Sequence, residues 1–169
     1  MNLSSPCLCG SNLDYQQCCE PFHSGQIHPS TALALMRSRY TAYVLRNVPY
    51  LQETWDVTKR PAAIDFSREN ITWLRLEIVD FKKGGVNDNK GIVTFKAFYQ
   101  QDDLECVMNE ISRFTKTNGR WLYLDGVIKS MGAINLQTNL GKNAACTCGS
   151  GKKFKRCCGA SRVFIKCNS

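Results

Sequence analysis

The feature that most restricts this chain is a spaced set of cysteines that occurs twice. Pro6-Cys7-Leu8-Cys9-Gly10-Ser11, then Tyr15-Gln16-Gln17-Cys18-Cys19, shares its register with Ala145-Cys146-Thr147-Cys148-Gly149-Ser150, then Phe154-Lys155-Arg156-Cys157-Cys158. Both copies read C-x-C-x₈-C-C, with the Gly-Ser pair and an aromatic residue in place. The copies lie 139 residues apart, too far for stacked repeats of a solenoid. The pattern reads as one small module placed at both ends of a different domain.

Thiolates are soft ligands, and a tetrahedral four-sulfur site suits Zn²⁺. In an extended turn, residues two apart point the same way, so Cys7 and Cys9 can reach one ion. Gly10 and Gly149 permit the chain reversal that follows. The eight-residue spacer holds about one helical turn, which returns the Cys-Cys pair to close the site. Tyr15 and Phe154 would form the small apolar centre. A unit of about twenty residues cannot stabilise itself by burial alone, so metal must supply much of its folding free energy. Local disulfides, free thiols, a [4Fe–4S] cluster and Cu(I) remain alternatives for the same residues. Against disulfides, the opening segment lacks the charged and apolar stretches of a secretory signal. Ten cysteines in a reducing compartment read first as metal ligands. No stretch approaches the roughly 20 apolar residues that span a bilayer. A cytoplasmic protein without a membrane span is the expectation.

The formal charge of +8 falls once metal is counted. Four thiolates and one Zn²⁺ carry −2, so two filled sites leave about +4. That charge is uneven: Lys142 to Ser169 holds seven basic and no acidic side chains, whereas Met1 to Ser30 holds Asp14 and Glu20 and no Lys or Arg. Two terminal modules of opposite sign would prefer different surfaces.

Between them, Thr31 to Arg46 predicts a helix capped by Ser30 or Thr31, with a stripe of Leu33, Met36, Tyr40 and Val44. Pro49 bars a simple continuation, and Tyr50 to Trp55 predicts a second short helical piece. From Ile71 the period changes to two. Strands are expected over Trp73 to Phe81 (Leu74, Leu76 and Ile78 on one face), Ile92 to Tyr99, Leu104 to Phe114 and Arg120 to Asp125. Thr117-Asn118-Gly119-Arg120 is a hairpin signal, since Asn-Gly adopts the positive φ values of a type I′ turn. Met131 to Ala144 reads as a linker. Helices followed by consecutive antiparallel strands indicate an α+β fold, a curved sheet wrapping a helix.

Both cysteine modules resemble the SEC-C motif, the zinc-binding segment at the C-terminus of the SecA translocation ATPase and on many other bacterial proteins. The resemblance implies Cys7, Cys9, Cys18 and Cys19, and Cys146, Cys148, Cys157 and Cys158, as ligands of two structural zinc ions per chain. The N-terminal copy departs from the motif at Asn12-Leu13-Asp14, where Gly-Lys-Lys is usual. A wider likeness covers nearly the whole chain. Cys18-Cys19-Glu20-Pro21-Phe22-His23-Ser24-Gly25, Leu35-Met36-Arg37-Ser38-Arg39-Tyr40-Thr41-Ala42-Tyr43, Ser112-Arg113-Phe114, Gly119-Arg120-Trp121 and Tyr123-Leu124-Asp125-Gly126 resemble the YchJ family of uncharacterised bacterial proteins. That resemblance implies a middle domain like the cone of nuclear transport factor 2, a sheet folded over helices around a pocket. It implies three parts: residues 1–25 and 139–169 for the modules with the linker, and 26–138 for the cone. It also makes a homodimer through the sheet a reasonable expectation. Where the family has His-Glu before Ser-x-Phe, this chain has Asn109-Glu110.

The basic run Lys152, Lys153, Lys155 and Arg156 is a candidate contact for an acidic protein surface, such as that of the chaperone SecB, or for ribosomal RNA; the alternative is a solvated face. No aromatic interleaving supports base stacking. His23 and His28 are expected to cap or sit at the surface, since four cysteines complete each shell. Cys106 should be a buried small hydrophobe, and Cys167 an exposed thiol in the tail. Arg37, Arg39, Trp55, Asn109, Glu110, Arg113, Trp121, Tyr123 and Asp125 supply the middle domain's polar and aromatic variety. By parity Trp121, Tyr123 and Asp125 share a face, and Arg39 is expected to pair with Glu110 or Asp125. No Ser-His-Asp set, phosphate loop or catalytic metal motif is present. The expected function is a zinc-binding adaptor that docks through the basic C-terminal module. The alternative is a small-ligand binder or enzyme built on the cone's pocket.

Overall fold

The computed structural model describes residues 6–67 and 70–134, together with Lys152, Lys153 and Arg156. A 3₁₀ turn at Tyr15–Gln17 is followed by α1 (Glu20–His23), α2 (Ala32–Val44) and α3 (Val48–Glu53), then by β1 (Ile71–Lys83), β2 (Lys90–Gln101), β3 (Leu104–Thr117) and β4 (Arg120–Ala133). The strands form one antiparallel sheet in the order β1-β2-β3-β4. The fold is α+β, with the curved sheet folded over the helices.

Thr31 caps α2: its Oγ1 accepts from the Ala34 amide at 3.1 Å, which satisfies one of the orphan donors of the first turn. Pro49 falls within the first turn of α3, where its missing N–H costs nothing. Asn118 and Gly119 carry φ of 50° and 78°, the two positive values that a type I′ turn needs. The start of α2 lies against the β1–β2 hairpin. The Ala32 amide donates to the Gly84 carbonyl at 2.9 Å, and a Cβ on Gly91 would stand 2.8 Å from both Ala32 Cβ and Gly84 Cα. Glycine at position 91 lets the helix sit that close.

The expected stripe on α2 holds only in part. Ala32, Leu35, Met36 and Tyr40 enter the main core, while Leu33 and Val44 pack at its margin. The helix is enclosed on several sides, so one amphipathic stripe does not describe it. Its other side presents Ser38, Thr41 and Ala42, all buried, to α3 and to the N-terminal segment.

Bulges account for most other differences. Residue Leu74 is an extra residue in β1 between Trp73 and Arg75, so Leu74 is exposed and Trp73, not Leu74, shares the inward face with Leu76 and Ile78. A second irregularity on β4 lies between Tyr123 and Asp125. Tyr123 pairs with Phe114 on the inner face, and Asp125 pairs with Arg113 on the outer one. The parity that grouped Asp125 with Trp121 and Tyr123 therefore fails. β4 also runs on to Ala133, through the start of the expected linker. Gly126 and Gly132 weaken its own strand propensity, but β3 supplies ladder partners as far as Cys106↔Ala133.

Candidate functional sites: a four-cysteine cluster and a cavity under the sheet

The N-terminal cysteines converge. The sulfurs of Cys7, Cys9, Cys18 and Cys19 all lie within 4.8 Å of one another, with Cys9–Cys18 at 3.5 Å and Cys18–Cys19 at 3.9 Å. A tetrahedron with bonds of about 2.3 Å to zinc has sulfurs roughly 3.8 Å apart, so the cluster fits one ion. Local hydrogen bonds build it: the Cys7 amide donates to the Leu13 carbonyl at 2.7 Å and the Gly10 amide to the Cys7 carbonyl at 3.3 Å. Gly10 takes φ of 74°, the reversal read from the sequence. Hydrogen bonds from Cys19 and Cys7 pull the Cys9 thiol far below its usual range. Hydrogen bonds with Cys7 and Cys9, then burial, push Cys19 far upward, and burial raises Cys18 to about 11. Four sulfurs this close cannot all ionise without a cation among them, and a bound divalent ion removes that conflict.

This cluster is seated on the helical layer. Arg37 donates to the Cys9 carbonyl, and Cys7 Sγ lies 3.7 Å from Thr41 Oγ1. His23 is half-buried, neither a ligand of the cluster nor a surface residue. Its Nε2 donates to the Ser38 carbonyl at 2.9 Å, so Nδ1 accepts from the Tyr15 hydroxyl at 3.0 Å. Burial lowers its pKa, which suits this neutral tautomer. His28 lies at the surface beside Arg120. The second set, Cys146, Cys148, Cys157 and Cys158, lies outside the described residues, as do Lys155 and Cys167. Lys152, Lys153 and Arg156 are exposed.

The second site is a cavity of about 440 Å³ between α2 and the concave face of the sheet. Its wall is mostly apolar, with Met36 from α2 opposite Phe95, Ala97 and Met108 on the strands. Its polar end holds Arg39, Glu110, Ser112 and Tyr123. Arg39 is only 3% exposed. Its Nη1 donates to the Leu51 carbonyl and to Thr54 Oγ1, both at 2.8 Å. The guanidinium lies against the Trp55 and Tyr123 rings, 5.0 and 4.6 Å from their centroids, a favourable cation–π arrangement. The expected ion pair with Glu110 or Asp125 is absent. Asp125 is on the outer face in a two-point contact with Arg113, and Glu110 accepts instead from Ser112 Oγ at 2.6 Å and from the Tyr123 hydroxyl at 3.5 Å. Burial, then the Glu110 carboxylate, pushes the Tyr123 hydroxyl well above the usual tyrosine range.

Gly126 creates the space for that carboxylate. A Cβ there would stand 2.1 Å from Glu110 Oε1 and 2.8 Å from Tyr123 Oη. Three further lining residues, Tyr40, Trp73 and Tyr99, bury a hydroxyl or indole N–H that has no hydrogen-bond partner among the described residues. Each such group costs about 1–3 kcal/mol, so this wall is not arranged for stability alone.

Of the sequence candidates, Arg39, Glu110 and Tyr123 meet at the cavity, with Trp55 behind Arg39. Arg37 serves the cysteine cluster. Asn109, bonded to Ser130 Oγ at 2.7 Å, and Arg113 face outward. The departure at Asn109 therefore leaves the cavity's own chemistry untouched. Trp121 is buried in the core, where its Nε1 donates to the Ser30 carbonyl at 3.1 Å. Cys106 is fully buried, as expected, but it is disulfide-bonded and so not simply a small hydrophobe. The sequence reading did not single out Met36, Tyr40, Trp73 or Tyr99 for the cavity. The alternation Met108, Glu110, Ser112, Phe114 pointed to the right face of β3.

The description "YchJ, middle NTF2-like domain" matches residues 31–126. The chain belongs to the YchJ family. SEC-C motifs match at residues 4–21 and 143–160 of this YchJ chain. A UPF0225 protein of Serratia proteamaculans is 42% identical over 159 residues, covering 90% of this chain and 97% of that one. A UPF0225 protein of Vibrio parahaemolyticus is 37% identical over 171 residues, covering 93% and 100%. Among solved structures, the solution structure of a SEC-C motif containing protein from Rhodopseudomonas palustris matches this YchJ protein with a TM-score of 0.66 at 31% identity, over 75% of this chain and 100% of that one. The crystal structure of a SEC-C motif containing protein from Psychrobacter arcticus matches with a TM-score of 0.61 at 29% identity, over 95% and 99%. Among the described residues, no helix is long and apolar enough to cross a membrane.

Proposed function

We propose that this chain is a zinc-stabilised small-ligand-binding protein whose working part is the cavity under the sheet. The observation that carries this reading is the 440 Å³ cavity itself, which lies within the usual size range of ligand pockets, roughly 300–1,000 Å³. An apolar wall with a few convergent polar groups is the usual anatomy of such a site. The unpaired hydroxyls and indole N–H around it support the reading, because selection for stability would remove them. The N-terminal cysteine cluster, seated on α2 next to Arg37 and Thr41, braces the helix that forms one side of the cavity. Zinc is the ion assigned to it, on the softness of four thiolates and their tetrahedral spacing.

The test uses a neutral apolar dye, N-phenyl-1-naphthylamine, with the full-length protein. Saturable fluorescence enhancement with one site per chain is expected. Ala97→Phe, which fills the cavity from β2, should weaken binding tenfold or more. Undiminished binding to a folded Ala97→Phe protein would falsify the cavity reading. If that variant does not fold, Met108→Phe replaces it.

A second reading attaches to the C-terminal motif, favoured by the exposure of Lys152, Lys153 and Arg156. In it, Lys152, Lys153, Lys155 and Arg156 dock the protein onto an acidic protein surface or a ribosomal RNA backbone, with a second zinc held by Cys146, Cys148, Cys157 and Cys158. Pull-downs with wild type and with Cys157→Ser/Cys158→Ser should then differ, the double variant losing the salt-sensitive partners. Recovery of the same partners by both would remove the motif from that role.

A further inference from the structure

The charges inside the cavity restrict what it can hold. Among the lining residues only Arg39 and Glu110 carry a formal charge at neutral pH, one of each sign, and no salt bridge joins them: the ion pairs of the described residues involve other side chains. Arg39 uses Nη1 on the Leu51 carbonyl and the Thr54 hydroxyl, while its Nε and Nη2 make no hydrogen bond among the described residues. Glu110 uses Oε1 on Ser112 and Tyr123, and its Oε2 accepts none from them. Gly126, by lacking a Cβ, lets the carboxylate stand inside the sheet rather than be displaced.

Two opposite charges lining one apolar cavity, each in contact with Tyr123 but with no salt bridge between them, leave a gap of defined polarity. A group that fills it must offer an acceptor to Arg39 and a donor to Glu110. Net charge on that group is disfavoured, because in a poorly solvated site an anion is repelled by Glu110 and a cation by Arg39. A carboxamide is a small neutral group that places an acceptor beside a donor. Behind it, Met36, Phe95, Ala97 and Met108 offer only apolar surface.

We propose that the cavity takes a neutral ligand with an apolar body and an amide-like head, its carbonyl toward Arg39 and its N–H toward Glu110. This deepens the cavity reading and rests on it. The probes are four naphthalenes that share one body: 2-naphthamide, 2-naphthoate, 2-naphthylmethylammonium and 2-ethylnaphthalene, titrated into the zinc-loaded full-length protein at pH 7.5 by ligand-observed NMR. The amide should bind at least tenfold tighter than each of the other three. Glu110→Gln, which removes the anion but keeps the side chain's shape, should tighten 2-naphthoate tenfold or more and narrow its gap to the amide. Should Glu110→Gln not fold, the wild-type ranking of the four probes decides alone. Equal or tighter wild-type binding of 2-naphthoate, of the ammonium or of 2-ethylnaphthalene overturns the head-group assignment and leaves the cavity reading standing. Failure of all four to bind overturns the assignment as well. The cavity reading falls separately, with the neutral dye.

Discussion

Protein purified without chelators should carry close to two equivalents of zinc per chain, and Cys9→Ser should lower that to about one. The four sulfurs of the N-terminal cluster lie at tetrahedral spacing, Cys9 among them fully buried, and zinc–thiolate sites in small finger peptides supply about 10–16 kcal/mol of apparent binding free energy at pH 7. Here the cluster is also packed on α2 through the Arg37 contact to the Cys9 carbonyl and the Cys7–Thr41 approach. Losing its metal should therefore loosen the helix as well as the segment before it. We expect Cys9→Ser to cost more than roughly 4 kcal/mol in urea unfolding, the range associated with loss of a metal site. Because the ligands must be deprotonated, zinc should be released as pH falls. Elemental analysis beside the unfolding curves provides the check. Two retained equivalents in the variant, or an unchanged unfolding midpoint, would contradict the assignment.

Trp121→Ala should cost about 3–5 kcal/mol, the usual penalty for emptying a buried aromatic site. Trp121 is 2% exposed and joins three parts of the fold. Its ring packs in the main core with Leu35, Met36 and Phe114, its Nε1 donates to the Ser30 carbonyl just before α2, and Lys116 lies 5.6 Å from its ring centroid. Substitution opens a cavity and leaves the Ser30 carbonyl without its partner at once. Urea denaturation of the variant measures the loss, and a change below about 1 kcal/mol would mean that β4 is not held to the helix start as described. Trp121 does not line the cavity, so the folded fraction of the variant should keep its affinity for the apolar dye.

Local chemistry was legible wherever one or two residues suffice to set geometry. A cap of α2 at Ser30 or Thr31, Asn118-Gly119 as the hairpin turn and the cysteine spacing around Gly10 were each readable, because capping and positive φ are properties of single positions. Pro49 reads as a break before a helix at Tyr50, whereas α3 starts at Val48 and holds Pro49 in its first turn. Strand existence was legible from alternation. Strand ends were not: β4 continues through Gly126 and Gly132 because β3 offers ladder partners, and a partner strand is not visible in the sequence of β4 itself.

The polar residues show the same division more sharply. Arg39, Glu110 and Asp125 were visible as unusual, but their pairing was misassigned. One extra residue between Tyr123 and Asp125 turned the carboxylate of Asp125 to the outer face and to Arg113, and a single-residue slip reverses every later side chain on a strand. Trp121 and Tyr123 share the inner face, yet one fills the core and the other borders the cavity, a difference set by where α2 crosses the sheet.

The sequence by itself determined the cysteine modules, the helix cap, the hairpin turn and the order of helices before strands, since each depends on residues near one another along the chain. Only the tertiary structure decided that a cavity exists, that Arg39 and Glu110 face it without touching, and that Gly126 makes room for the carboxylate. Those depend on bulges that shift side-chain parity and on the distance between a helix and a sheet, quantities that arise from packing between segments far apart in the chain.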